Sequence, residues 1–177
     1  MAAAAGFSYP FATLQQIARD VLADAAARGA SACEVDVSEG FGQSVTVRCG
    51  EVETIEYNRD KGVGVTIYCG QRKGYASTSD FSPAALRDTV RAALDIARFT
   101  ADDDCAGLAE AELLARQVPD LDLYHPWALP VEEAIVLATR CEDAAFEASP
   151  RIGNSEGATV STQQSQFIAA NSLGFMG

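Results

Sequence analysis

The sequence has few groups suited to metal or covalent chemistry. It contains one histidine, His125, and five cysteines, none of which form a C-x-x-C pair. An odd number of cysteines without such a pair indicates reduced thiols rather than a disulfide framework. A zinc cluster needs closely spaced ligands, and a metalloprotease helix needs two histidines one turn apart with a glutamate. The residues therefore predict neither a metal site, nor a catalytic residue, nor a bound cofactor in this chain.

Basic residues and long apolar runs are also scarce. The chain has 13 Lys and Arg against 25 Asp and Glu, a net charge of -12. An acidic surface repels phosphate backbones, so we expect no direct contact with nucleic acid. No apolar run approaches the ~18 residues of a membrane span, and the N-terminal MAAAAGF lacks the basic residues of a signal peptide. A cytoplasmic protein without membrane contact is the expectation.

Hydrophobic periodicity predicts an α+β fold. Residues 11–28 have the apolar spacing of a helix, as do a segment that Ser82 caps and a third segment at about 130–148. Alternating apolar residues predict strands at 33–38, 44–49, 51–58 and 63–69, joined by turns at 39–42, 50, 59–62 and 70–73. Short turns favour antiparallel neighbours. We therefore expect a two-layer fold, with an antiparallel meander sheet packed on helices and the start of a second α/β subdomain after it.

The composition and the hydrophobic pattern of the sequence change after residue 101. Three consecutive acids, Asp102–Asp104, indicate a solvated hinge, although they could also bind a divalent cation. Residues 106–116 are a short helix candidate. The chain stops on the turn signal Asn171–Gly174, and a hairpin whose return strand is missing indicates a fragment, so we expect the natural chain to continue. The predicted parts are an N-terminal α+β domain at 1–101, a linker with a short helix at 102–129, and an incomplete second domain at 130–177.

The cysteines and the histidine are predicted to have structural roles rather than catalytic or metal-binding ones. Cys33, Cys49 and Cys69 share the apolar phase of their strands, which predicts small buried hydrophobic side chains. His125 lies apart from them between aromatic residues and prolines, so a structural hydrogen bond is favoured over catalysis. Two acids nearby, Asp120 and Asp122, could share one strand face, but nothing else in the sequence supports an acid–base pair.

The stretch GVGVTIYCGQRKGYASTS at 62–79 begins like a phosphate loop. A dinucleotide or P-loop requires a helix directly after the glycines, and no helix is predicted before Ser82. Gly62 and Gly64 are therefore interpreted as turn and strand residues of the meander. The hairpin tip and the following strand could instead form a surface for a partner or an added peptide strand. The candidate contact residues are Arg72, Lys73, Tyr75 and Ser77.

Several blocks resemble the PmbA/TldD family, and the PmbA/TldE branch more than the TldD branch. They are GEVE at 50–53, RKGYASTSD at 72–80, AALDIARFT at 92–100, DDCAGLAEAELLA at 103–115, PDLDLYHP at 119–126 and RIGNSEGA at 151–158. The blocks follow the family's order from about residue 30 to the end of the chain. Each block is weakly specific alone, and their combination is specific.

The resemblance implies the N-terminal region of one subunit of a cytosolic metallopeptidase complex that matures peptide precursors and degrades an antitoxin. Its partners would be a TldD-like subunit and an unfolded peptide. The family's zinc is expected on the TldD-type partner, in a His-Glu-x-x-x-His motif that this sequence does not contain. An older description links the family to modulation of DNA gyrase. The alternative is an autonomous protein-interaction module without a proteolytic role.

Overall fold

The computed structural model describes residues 6–177, which form a four-stranded sheet with three α-helices. The predicted α+β fold is confirmed. The strand order is β3-β2-β1-β4. In chain order the elements are α1 (Phe11–Ala27), β1 (Ala32–Arg48), β2 (Glu51–Cys69), β3 (Arg72–Thr78), α2 (Pro83–Phe99), α3 (Val131–Ala148) and β4 (Ala158–Asn171).

The three predicted helices are confirmed, and the start of α2 follows from its capping residues. The Ser82 hydroxyl accepts a hydrogen bond from the Ala85 amide at 3.4 Å, and Pro83 occupies the first helical position. The predicted helix at 106–116 is wrong, because the structure has only a 3-10 turn at Ala111–Leu113 there. Leu113 is exposed, so the segment buries no apolar face that would stabilise so short a helix.

Two predicted turns are also wrong, because β1 and β2 each run through them without interruption. Residues 39–42 lie inside β1, where the buried phase continues through Glu39 and Phe41 to Val45. Gly42 serves as a strand residue rather than a turn residue. It has to be glycine because a Cβ there would collide with the Thr162 carbonyl of β4. Residues 59–62 likewise lie inside β2. The meander is therefore built from two long strands and one short one.

The two outer strands of the sheet are β3, which pairs with β2, and β4, which lies beside β1. β3 pairs antiparallel with the last part of β2, from Val63 opposite Thr78 to Cys69 opposite Arg72. β4 lies beside β1, and two hydroxyl pairs join these strands: Ser44 with Ser161 at 3.0 Å and Thr46 with Thr159 at 2.9 Å. After β4 the chain turns back, and Ala169 exchanges two backbone hydrogen bonds with Gly177. The turn predicted at Asn171–Gly174 is confirmed, but the return strand that was expected to be missing has its first bridge within the chain, between Ala170 and Met176.

The chain divides into two compact units. The first comprises the described residues up to Glu39 together with Asp60–Leu121 and Ser165–Gly177, and the second comprises Gly40–Arg59 and Asp122–Gln164. These units do not test the predicted boundaries at residues 101 and 129, which stay a prediction. Within residues 6–177, no helix is long and apolar enough to cross a membrane.

The first unit holds the larger core. Apolar residues of α1 and α2 pack against the inward residues of the sheet, and their buried side chains form one cluster. Its most buried large members are Leu14, Val21, Val35, Val37, Val63, Val65, Ile67, Val90 and Ile168. One face of this part of the sheet is therefore covered by helices, and side chains of the other phase project from the opposite face.

The second unit has a smaller core and a capped turn. Val45 of β1 packs with Leu129 and Ala134 at the start of α3. The Glu142 carboxylate of α3 accepts hydrogen bonds from the amides of Cys49 at 2.9 Å and Gly50 at 2.8 Å. These two residues form the turn between β1 and β2, so one buried side chain satisfies both turn amides.

Candidate contact surface on the central sheet

Three of the four predicted contact residues lie on one face of β3. Side chains alternate along a strand, and Gly74 and Ala76 face the helices while Lys73, Tyr75 and Ser77 are exposed on the opposite face. A Cβ at Gly74 would overlap the Ala93 carbonyl oxygen and the Ala97 amide of α2. α2 therefore lies directly against β3, which fixes the direction of the exposed side chains. Lys73, Tyr75 and Ser77 are called the β3 outer face below.

Arg72, the fourth predicted residue, points to the other side. Its Nε donates to Asp102 Oδ1 at 3.0 Å, and its Nη1 donates to the Arg98 carbonyl at 3.0 Å. The Arg98 carbonyl belongs to the last turn of α2, where carbonyls lack helical partners. Arg72 thus ties the end of α2 to the acidic segment, and the structure separates it from the β3 outer face.

The acidic segment is held locally. The Asp103 amide donates to the Gln71 carbonyl at 2.9 Å, and the Asp103 carboxylate accepts from the Cys105 amide at 2.9 Å. The Asp102–Arg72 ion pair and the bond from the Asp103 amide to Gln71 attach the segment to the β2–β3 hairpin, and the bond to Cys105 holds its own turn. Both carboxylates therefore serve local contacts.

Tyr75 and Gly64 depend on each other. A Cβ at Gly64 would lie 3.0 Å from the Tyr75 hydroxyl and 3.2 Å from its ring. Gly64 is opposite Ser77 in the register, so the Tyr75 ring lies diagonally across the strand pair. The glycine leaves space for the aromatic ring to lie on the sheet. Its role is packing, and no helix follows it until α2, so the phosphate-loop interpretation has no structural support.

An open groove of about 580 Å³ borders this surface. Its lining includes Asp36 and Ser38 of β1 and Tyr75 and Ser77 of β3. Burial raises the pKa of Asp36, and the neighbouring Glu34 carboxylate raises it further. A hydrogen bond from the Tyr68 hydroxyl to Glu34 Oε1 at 2.7 Å holds that carboxylate in place. The groove thus combines a carboxylate, hydroxyls and an aromatic ring.

Lys61 is the basic residue beside the groove. Its Nζ donates to the Tyr9 hydroxyl at 2.9 Å and lies 4.9 Å from the centres of both the Tyr9 and the Phe81 rings. Sequence reasoning missed Asp36, Ser38 and Lys61 as groove residues. The signal was present for Asp36 and Ser38, because they occupy the phase of β1 opposite to its apolar residues.

The groove is suited to binding rather than to metal chemistry. Hydroxyls and a carboxylate can pair with peptide groups, and the Tyr75 ring offers an apolar surface. Across residues 6–177, no group of three or more His, Cys, Asp or Glu side chains could hold a metal ion. The metal chemistry of a metallopeptidase therefore does not fit the described residues, and no catalytic step is assigned to them.

The structure also shows where the other candidate residues lie, namely the cysteines, His125 and the two nearby aspartates. Cys33 is buried, as predicted, whereas Cys69 is only half-buried and the prediction for Cys49 is wrong. Cys49 is exposed because it occupies the β1–β2 turn at φ 51°. His125 Nε2 lies 2.6 Å from the Asp122 carbonyl, which agrees with a structural hydrogen bond. Asp120 and Asp122 do not share a strand face, because residues 118–127 form no strand.

Comparison with known sequences gives two consecutive family matches. Residues 33–97 match the PmbA/TldA metallopeptidase domain 1, and residues 124–177 match the PmbA/TldA metallopeptidase central domain. The Metalloprotease PmbA of Escherichia coli O157:H7 is 50% identical over 143 residues, which are 81% of this chain and 32% of that protein. The Metalloprotease PmbA homolog of Haemophilus influenzae is 45% identical over 148 residues, covering 84% of this chain and 33% of that protein.

Solved structures share the fold. A proposed modulator of DNA gyrase from Bacteroides thetaiotaomicron superposes with a TM-score of 0.75 at 22% identity, over 92% of this chain and 37% of that one. TldE from Thermococcus kodakarensis gives 0.68 at 14% identity, over 92% and 35%. Such low identities show the fold alone. The chain spans about a third of the length of the curated relatives it matches.

Proposed function

Because the chain belongs to the PmbA/TldD family, we propose that it is the N-terminal region of a PmbA/TldE-type subunit of a metallopeptidase complex. The observation that carries the proposal is the 50% identity to a metalloprotease PmbA, with the first and central family domains matched in order. The substrates would be unfolded peptides, such as precursors that are trimmed and an antitoxin that is degraded. The complex would act in the cytoplasm.

Within that complex the chain would act as a scaffold and a contact surface. Zinc would be bound by a TldD-type partner subunit, and the described residues, which offer no group of three or more metal ligands, are compatible with this. The β3 outer face and the adjoining groove would touch the partner or the peptide. Their support is geometric: Tyr75 is 56% exposed although its ring is held in place over Gly64. An exposed but positioned aromatic ring is a common anchor in protein interfaces.

An effect on DNA gyrase would then be indirect. Duplex DNA binds through basic side chains that neutralise its phosphates, and this chain carries a net charge of -12. Proteolysis of a protein that regulates gyrase requires no such contact. We therefore place any influence on gyrase downstream of peptide cleavage.

Reconstitution tests the assignment of the chemistry. The protein would be mixed with a zinc-loaded TldD-type subunit and an unfolded peptide, and cleavage would be followed by mass spectrometry. We expect cleavage that requires the TldD-type subunit, and none from the chain alone at any zinc concentration. Chelator-sensitive cleavage by the chain alone would overturn the proposal that its own residues carry no metal site.

Variants of the β3 outer face test the contact role. Lys73→Glu with Tyr75→Ala should lower cleavage by the reconstituted complex about tenfold, because an interface anchor and a charge are lost. The matched control is Arg91→Glu with Phe99→Ala, which removes the same kinds of side chain from exposed positions of α2. Equal loss in both variants, or none in the first, would refute a contact at this face.

Affinity capture separates this proposal from the alternative. If the chain is a subunit of a peptidase complex, its capture from a lysate should recover a TldD-like protein. Reproducible recovery of other proteins without a TldD-like one would instead favour an autonomous interaction module.

A further inference from the structure

The sheet has a long edge without a strand neighbour. β3 pairs only with Val63–Cys69, whereas β2 begins at Glu51. In the part of the chain that the structure describes, no other strand lies beside the outer side of residues 51–62. Residues Glu51–Asn58 belong to the second unit and are called the open edge. At about 3.3 Å per residue the open edge is roughly 26 Å long.

The open edge is exposed on both faces. Every residue from Glu51 to Asn58 is exposed, and none belongs to a core cluster. Val52 is 43% exposed on one face, while Ile55 at 44% and Tyr57 at 72% lie on the other. Proteins usually shorten, bend or cover a strand edge that combines unpaired backbone groups with exposed apolar side chains. An edge left in this state is suited to pairing with another extended segment.

The charge of the open edge indicates the kind of segment. It contains Glu51, Glu53 and Glu56 and no basic residue. Arg48 of β1 lies 3.5 Å from Glu53, and both side chains are more than 40% exposed, so this pair offsets little of the charge. Opposite charges across a strand pair stabilise it and like charges destabilise it. A second copy of the same edge would bring acids against acids.

We propose that the open edge binds an extended polypeptide segment in which Lys or Arg alternates with apolar residues. The segment would add a strand beside β2, with its basic side chains on the face of Glu51 and Glu53 and its apolar ones on the opposite face, against Val52. The open edge shares no residue with the β3 outer face. The inference therefore stands or falls independently of the peptidase assignment.

Synthetic peptides test the pairing. A fluorescent, end-capped peptide of alternating Lys and Val is titrated with the whole protein, and its anisotropy is measured. The same peptide with Glu in place of Lys should bind at least ~tenfold more weakly. Equal binding of the two peptides would overturn the proposed charge preference.

Backbone methylation of the peptide distinguishes strand addition from charge attraction alone. In a strand pair, every second amide faces the partner. N-methylation of alternate residues gives two peptides, one methylated in each phase. Strand addition requires that one methylated peptide loses binding and the other keeps it. If both bind like the parent peptide, or both fail, strand addition at the open edge is refuted.

Protein variants locate the site. Glu51→Lys with Glu53→Lys should weaken binding of the Lys peptide about tenfold, because both glutamates lie on the face that receives its basic side chains. The matched control, Glu110→Lys with Glu112→Lys, changes the net charge equally at exposed positions outside the open edge. Equal weakening by both pairs would show unspecific charge attraction and overturn the proposal. Sedimentation of the protein without peptide tests whether a second copy covers the open edge instead. A dimer that is lost in the open-edge variant would show this and overturn the proposal of a basic segment.

Discussion

At the scale of single residues, Glu39 is a carboxylate placed inside β1. It is 2% exposed and accepts hydrogen bonds from the Ser8 amide at 2.6 Å, the Tyr9 amide at 3.2 Å and the Gln166 side chain at 3.3 Å. Burial alone would raise the pKa of Glu39, but these hydrogen bonds outweigh it and lower the pKa below the ordinary value of 4.5. The ionised carboxylate therefore holds the segment before α1 against the sheet.

Replacing Glu39 by Gln should lower the free energy of unfolding by about 2 kcal/mol at neutral pH, because an amide cannot accept from all three donors. The pKa of Glu39 is lowered by folding, so its contribution is present above about pH 4.5 and is lost as the pH falls. Urea unfolding between pH 3 and pH 7 (roughly the range in which a carboxyl group titrates) measures both effects. Glu110→Gln at an exposed position is the control, and an equal loss of stability there would contradict the assignment.

The turn between β1 and β2 has a residue type that does not suit its backbone. Cys49 at φ 51° and Gly50 at φ 80° are both left-handed, as in the two-residue turns that favour Asn-Gly. Cys49→Asn should raise the free energy of unfolding by about 0.5 kcal/mol, since Asn tolerates this conformation better. Thermal unfolding checks it, with Cys105→Asn as the matched thiol replacement. A lower melting temperature for Cys49→Asn alone would show that the thiol contact to Asn154 matters more than the backbone.

At the scale of elements, the contact between β3 and α2 depends on one absent side chain. Gly74→Ala would place a methyl group against the Ala93 carbonyl and the Ala97 amide, and helix backbone cannot yield as a flexible side chain does. We expect a loss of about 3 kcal/mol in the free energy of unfolding. Gly107→Ala is the control, because nothing lies within 4 Å of the added group. Similar melting temperatures for both variants would contradict the close approach of α2.

The sequence predicted the elements of this fold better than their lengths. Local apolar spacing and the Ser82 cap were sufficient for the helices, because those signals lie within the elements themselves. The turn predicted at 39–42 failed because Glu39 and Gly42 look like turn residues locally. Their reasons are distant in the chain: Ser8 and Tyr9 satisfy the Glu39 carboxylate, and β4 approaches Gly42. The odd-numbered apolar phase from Cys33 to Val47, interrupted only by Glu39 and Gln43, was the available signal for one long strand.

The contact surface was predictable in part for the same reason. Alternation places Lys73, Tyr75 and Ser77 on one face and Arg72 on the other, and this follows from the sequence once β3 is assigned. That Arg72 contacts Asp102 and the end of α2 requires the three-dimensional fold. The groove residue Lys61 also required it, since its ammonium group contacts two rings that are distant in the chain.

At the scale of the whole molecule, the charge balance predicts which polymers the protein avoids. With a net charge of -12, the protein should not bind duplex DNA at physiological salt with a dissociation constant tighter than about 10 μM. Fluorescence anisotropy with a labelled duplex measures this, and a basic peptide on the same duplex serves as the positive control. Tight binding that weakens steeply with added salt would show a basic surface that the charge balance conceals.

The position of Cys33 has a consequence for watching the protein in motion. Burial raises the pKa of this thiol to about 12, with a smaller contribution from Glu34, so the reactive thiolate is almost absent while the first unit stays closed. Cys49, Cys105 and Cys141 are exposed and should react with an alkylating reagent within the first mixing. The rate at which Cys33 is alkylated then reports how often the core of the first unit opens. Mass spectrometry measures this rate at a single residue.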